Sequence, residues 1–146
     1  MTNNTIKFKV PAIPPSYNKS FQINFNYHTT FLSKEAKGFK DKVKMFMPVW
    51  QPPVDSMFEM NIKIQNCWFF LNGNLQKKDV QNLDKLICDA CFEKIGIDDN
   101  QIQKLSIEKV RNKESFTEIE IKVVGTVQQF KDTLIEEHKT NGGDVK

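Results

Sequence analysis

Apolar and polar side chains alternate over several short stretches of this chain and recur at helical spacing over others. Ile6, Phe8 and Val10 alternate with Lys7 and Lys9, which predicts a half-buried strand that stops at Pro11. Phe58, Met60, Ile62 and Ile64 alternate with Glu59, Asn61, Lys63 and Gln65 in a second strand. Trp68, Phe69 and Phe70 have the rings to stack on bases, but are more simply expected to carry that strand onward into the core before Asn72-Gly73-Asn74 breaks it. Leu105 and Ile107 mark a third strand, Arg111 to Ser115 a turn, and Phe116, Ile119, Ile121 and Val123 a fourth strand with Glu118, Glu120 and Lys122 outward.

Helical spacing appears three times. Ser33 is a good N-cap for a helix with the apolar stripe Ala36, Phe39, Val43 and Met47, ended by Pro48. Its lysines, Lys34, Lys37, Lys40, Lys42 and Lys44, read as a solvated face. A second helix, read as residues 82–95, buries Leu83, Leu86, Ile87, Ala90, Cys91 and Ile95 and stops at Gly96. A last short helix is predicted from Val127 to His138, with a polar, disordered tail beyond it. Pro14-Pro15 reads as a rigid turn. Lys19 to Thr30 has no clear period and reads as a loop. The sum is an α+β fold: about four strands in a mixed sheet, two main helices and a short C-terminal one. Residues 1–126 form the predicted domain and 127–146 the appended helix and tail.

A chain of 146 residues is long enough to bury one core. No apolar run approaches the length of a membrane span, and the first residues lack the charged and apolar regions of a signal peptide, so a cytoplasmic protein is expected. Three cysteines, an odd number, argue against a disulfide framework. Cys88 and Cys91 are spaced like half a zinc site but fall inside a helix, where buried thiols are the better reading. Net charge is +3, from 21 basic and 18 acidic groups, and Arg111 is the one arginine. That balance permits lysine–phosphate contact with nucleic acid and makes base reading by arginine a minor contribution.

Candidate chemistry gathers between Lys77 and Ile102. Gln81, Lys85 and Asp89 are four residues apart and share a helical stripe, with Asp79 just upstream. Each has an ordinary structural explanation: Asp79 as a helix cap, Lys85 and Asp89 as a surface pair. The adjacent carboxylates Asp98 and Asp99 repel each other, although turns do favour aspartate. Mg²⁺ takes one or two carboxylates with water and phosphate, and Asp79 and Asp99 are a suitable pair, with Lys85 placed to neutralise charge on a phosphodiester.

The order Asp79-Val80-Gln81-Asn82-Leu83-Asp84-Lys85, Cys88-Asp89-Ala90 and Gly96-Ile97-Asp98-Asp99-Asn100-Gln101-Ile102 resembles the RusA family of Holliday-junction resolvases. Pro14-Pro15-Ser16-Tyr17-Asn18 and Phe31-Leu32-Ser33-Lys34-Glu35 resemble that family's opening, so the resemblance spans about residues 6–124. It implies a small homodimeric endonuclease that requires Mg²⁺ or Mn²⁺ and nicks opposed strands of a four-way DNA junction. It further implies Asp79, Lys85 and Asp99 as catalytic residues, with Asp79 and Asp99 on the metal.

Gln81, Asp89 and Asp98 are further candidate ligands, and Lys77, Lys78, Asn82 and Lys85 candidate DNA contacts. Gln81 stands where the family carries its second aspartate, which opens the alternative of a junction-binding protein with weakened or lost cleavage. Asp84 and Asp89 are the carboxylates available to compensate, Asp89 being the preferred one. An interaction module with no nucleic-acid role is a third reading, disfavoured by the motif. A straight helix over 82–95 would run roughly 21 Å, and three residues beyond Gly96 recover only about 10 Å. On that premise Asp79 and Asp99 of one chain are held apart, which favours a site near a dimer axis.

Overall fold

The computed structural model describes residues 4–15, 21–24, 29–76 and 83–140. Four strands form the main sheet: β1 (Thr5–Val10), β4 (Ser56–Asn66), β5 (Ile102–Arg111) and β6 (Phe116–Thr126), in the order β1-β6-β4-β5. β6 is antiparallel to both neighbours, pairing Phe8 with Ile119 and Ile62 with Ile119 across the two ladders. β4 and β5 are parallel, Met60 lying beside Leu105 and Ile62 beside Ile107. A parallel pair cannot be joined by a tight turn. The connection here carries helix α2 (Lys85–Ile95), which brings the motif region onto the sheet.

Alternation decides which face is buried. Val10, Phe58, Met60, Ile62, Ile64, Ile119 and Ile121 are buried on one face, where α2 and helix α1 (Lys34–Phe46) cover them. Phe92 of α2 meets Phe58 edge-on at 5.2 Å between ring centroids, and the Cys88 thiol contacts the Met60 sulfur at 3.8 Å. The opposite face is polar: Asn61 donates to Glu120 at 3.2 Å and Gln65 to Glu118 at 3.0 Å. The mixed α+β sheet is therefore as expected.

Ser33 caps α1 as predicted, its hydroxyl accepting from the Ala36 amide at 3.1 Å, and Ala36, Phe39, Val43 and Met47 are buried. Two of the α1 lysines depart from a purely solvated face. Lys40 and Lys44 clamp Glu93 of α2 at 2.7 and 2.6 Å, and Lys94 donates to the α1 carbonyls of Lys44 and Met47, the latter at 2.6 Å.

Three further expectations are corrected. The stretch read as a loop contains two short antiparallel strands, β2 (Phe21–Asn24) and β3 (Thr29–Leu32), pairing Phe21 with Leu32 and Asn24 with Thr29. Such a two-stranded ribbon is held by backbone hydrogen bonds and at four residues a side is too short to show a period. β4 ends at Asn66, because Trp68 adopts φ 65°; Trp68 is buried, whereas Phe69 and Phe70 are exposed on a hairpin closed by the Phe69–Leu75 bridge.

The last helix, α3 (Val127–Thr140), is 14 residues long rather than short. Its start is fixed by a reciprocal cap: Thr126 Oγ1 accepts from the Gln129 amide at 3.1 Å, and Gln129 Oε1 accepts from the Thr126 amide at 2.9 Å. The expected tail beyond it, and the turn Ser16-Tyr17-Asn18, lie outside the described residues.

Candidate active site

The site is built on α2 and the turn that follows it. Leu86, Ile87, Ala90 and Cys91 are buried against the sheet, which leaves Lys85 and Asp89, one turn apart, on the exposed side. The helix begins at Lys85, not at residue 82, with Asp84 at the N-cap in helical conformation and making no side-chain cap bond. Asp84 is only half-buried as a residue, yet its Oδ1 is buried and lacks a hydrogen-bond partner among the described residues. A buried carboxylate oxygen left without a donor is costly.

At the other end Gly96 takes φ 79°, a left-handed conformation that glycine adopts without penalty, and the amides of Gly96 and Ile97 both donate to the Phe92 carbonyl. The chain reverses there. Asp98 then caps a single 3₁₀ turn, Asp99–Gln101, by accepting from the Asn100 amide at 2.9 Å. Gln101 fastens that turn to the start of β4, donating to the carbonyls of Ser56 at 2.8 Å and Val54 at 2.9 Å.

Asp98 and Asp99 consequently have different surroundings. Asp98 has the structural role that turn chemistry anticipates. Asp99 lies within electrostatic reach of α2: burial first, and then the Asp99 charge among others, pushes up both the Asp89 carboxyl and the Cys88 thiol. Asp89, Glu93, Asp98 and Asp99 line one open depression beside Gly96.

Asp89 sits above the ordinary carboxylate range. Partial burial is the largest cause, Lys40 opposes it, Asp99 and Glu93 add to it, and Lys85 again opposes it. Cys88 is pushed up to about 12, first by burial and then by Asp84, Asp99 and Asp89; Cys91 is driven higher still by burial. Burial thus favours the protonated form of both thiols. The lining of the depression includes four carboxylate side chains, whose oxygens are the donor type that Mg²⁺ and Mn²⁺ prefer.

The structure thus sets Asp89, Asp98 and Asp99 on one depression, Asp98 also capping the turn, and Lys85 acts on Asp89 through its charge. Lys77, Lys78, Asp79, Gln81 and Asn82 lie outside the described residues. Among the described residues no three of His, Cys, Asp and Glu are grouped to hold a metal. The premise that kept Asp79 and Asp99 apart changes as well. α2 spans 11 residues, about 16 Å, and Asp99, past the reversal at Gly96, shares a depression with Asp89. Two features went unread in the sequence: the Gln101 anchor and the Lys40–Glu93–Lys44 clamp. Each joins residues about fifty positions apart, beyond the reach of any local period.

Four carboxylates, with Phe92 and Ile97 between them, line an open depression on an α+β domain. Comparison with family models adds to this: that of Endodeoxyribonuclease RusA matches residues 11–123. The chain belongs to the RusA family, whose members are junction-resolving endonucleases. No curated protein matches the chain as a relative.

Proposed function

We propose that this protein is a divalent-metal-dependent endonuclease that cuts opposed strands of a four-way DNA junction as a homodimer in the cytoplasm. The observation that supports the proposal is the depression that Asp89 and Asp99 line together, in a chain that the family model matches over residues 11–123. Asp79 and Asp99 are the proposed metal ligands, with Asp89, and secondarily Gln81, Asp84 and Asp98, adding oxygen donors. A bound Mg²⁺ or Mn²⁺ would polarise the scissile phosphate and activate water. The chain's own residues orient the phosphodiester, and Lys85 offsets negative charge developing on it. Lys77, Lys78 and Asn82 are the proposed DNA contacts.

A second reading is favoured by one residue. Gln81 brings no charge to a position where the family carries aspartate, which supports a protein that binds junctions and cuts them poorly. A synthetic four-way junction incubated with and without Mg²⁺ separates the two. Paired nicks only with metal establish the endonuclease; a retarded but intact junction at every metal concentration establishes the binding protein.

A further inference from the structure

The hairpin that follows β4, residues 67–76, carries its apolar side chains outward. Phe70 is 56% exposed, Leu71 is fully exposed, and Phe69 and Leu75 also reach solvent. Soluble domains avoid gathering apolar groups at a loop tip unless something binds there. The base of the hairpin is fixed: Trp68 is buried and its indole N–H donates to the Val110 carbonyl at 3.0 Å. The arms are fixed too, with the Phe70 amide donating to the Asn74 carbonyl at 2.8 Å and the Gln76 amide to the Trp68 carbonyl at 2.8 Å. The tip turns through Gly73, at φ 86°, whose amide donates to the Phe70 carbonyl at 2.9 Å. Phe70 and Leu71 are thereby held out on a braced support.

Cations frame these rings. The Arg111 guanidinium lies 5.5 Å from the Phe69 ring centroid and Lys109 Nζ 4.7 Å from that of Trp68. Residues 67–76 include no acidic side chain, and Lys77-Lys78 follow directly. Glu108 in β5 and Glu114 in the β5–β6 turn, each three residues away, are the nearest acids in sequence to Arg111. Exposed apolar and aromatic faces beside positive charge form a surface for nucleotides whose bases have left the double-helical stack.

Position ties the hairpin to the site. Cys88 packs on Met60 and Phe92 on Phe58, so α2 runs antiparallel to β4. Its Lys85 end is directed toward Asn66, from which the hairpin springs. Only two residues separate Gln76 from Asp79 in the sequence.

We infer that the 67–76 hairpin is a base-stacking wedge that receives bases opened at the branch point of a DNA junction, Phe70 and Leu71 being the inserting side chains. The inference rests on the endonuclease reading above and adds how branched DNA is told from linear duplex. An intact duplex must be unstacked before a ring can enter, whereas a branch point already interrupts the stack.

The test uses the whole protein, with Ca²⁺ in place of Mg²⁺ to prevent cutting, and a four-way junction carrying 2-aminopurine at the branch. The parent should raise the 2-aminopurine fluorescence as the base unstacks. Phe70→Ala and Leu71→Ala should suppress that rise and weaken junction binding about tenfold, with linear-duplex affinity and salt dependence unchanged; Phe70→Tyr should restore both. Both sites are exposed, so the variants are expected to fold, and circular dichroism checks it. Variants that keep the full fluorescence rise, or lose junction and duplex affinity equally, overturn the wedge. Conversion of a dimer to a monomer in sedimentation would assign the tip to protein association and overturn it as well. Failure of the endonuclease reading shows separately, as a parent protein that neither binds nor cuts the junction, and it removes the wedge too.

Discussion

Gln101 donates its side-chain amide to the main-chain carbonyl of Ser56 at 2.8 Å, tying the turn that carries Asp99 to the first residue of β4. The same NH₂ group reaches the Val54 carbonyl at 2.9 Å. The residue that fixes the candidate ligand is therefore separate from the ligand itself. Gln101→Glu should be worse than Gln101→Ala, because a carboxylate facing two carbonyl oxygens can donate to neither. An expected loss of about 1–3 kcal/mol for the glutamate variant, read by urea unfolding, follows from setting a carboxylate against two carbonyl oxygens, one of them part-buried. Equal stability of the two variants would show that the anchor carries no weight.

Asp79→Asn and Asp99→Asn are each expected to abolish junction cleavage while leaving binding intact or tighter. Losing a ligand charge weakens metal retention, and neutralising an acidic centre relieves repulsion of DNA phosphates. Cleavage and gel retardation measured on the same preparations check this. A variant that cuts at the parent rate loses its place in the site.

Gln81→Asp should lower the Mg²⁺ concentration needed for half-maximal cleavage, since an added carboxylate strengthens a weakly charged site. Asp89, whose carboxyl is already pushed up by burial and by Asp99, is the group that would ionise more readily around a bound cation. A Mg²⁺ titration of both proteins decides it, and an unchanged midpoint would remove residue 81 from the ligand set.

Glu93 joins the two helices, and its carboxyl is held below the ordinary range by hydrogen bonds from Lys40 and then Lys44. A lowered folded-state value means the contribution is complete above the ordinary carboxylate range and disappears as pH falls through the lowered value. Glu93 is half open to solvent, so the clamp is worth the modest amount of an exposed pair. Glu93→Gln should cost roughly 0.3–1 kcal/mol at neutral pH, little in about 1 M salt, and nothing at low pH where both forms are neutral. Thermal unfolding at three pH values reads this out.

Cys67 is exposed, whereas Cys88 and Cys91 are buried with thiols pushed well above the ordinary range. An alkylating reagent near pH 8 should add once to the folded protein and three times in urea. Intact-mass spectrometry counts the additions; early loss of Cys88 or Cys91 would mean that α2 lifts from the sheet.

The sheet was legible in the sequence because alternation is a local signal. Ile6-Lys7-Phe8-Lys9 and Phe58-Glu59-Met60-Asn61 name their buried faces within a few residues, and the structure buries those faces. The Ser33 cap and the Gly96 stop were legible for the same reason. Phe69 and Phe70 were misjudged because hydrophobicity argues for a core only while the strand continues, and Trp68 at φ 65° ends it. The β2–β3 ribbon gave no period to find. In the site, the likeness of Asp79, Lys85 and Asp99 to a family motif carried their selection, and Asp98 was separated from Asp99 only once the cap on Asn100 was seen. Gln101 looked like one polar residue among several until its two carbonyl partners, some 45 positions earlier, were in place.

The strand order β1-β6-β4-β5 also constrains when activity can arise during synthesis. β6 is the last strand made, yet it sits between β1 and β4 and supplies β1 with its partner, from Thr5 beside Lys122 to Val10 beside Thr117. A nascent chain that stops short of residue 116 leaves β1 and one side of β4 unbonded, so the layer supporting α2 is incomplete. Contacts of such long sequence separation form late in folding. Asp89 and Asp99 are thus seated over a complete sheet only after almost all of the described chain has left the ribosome.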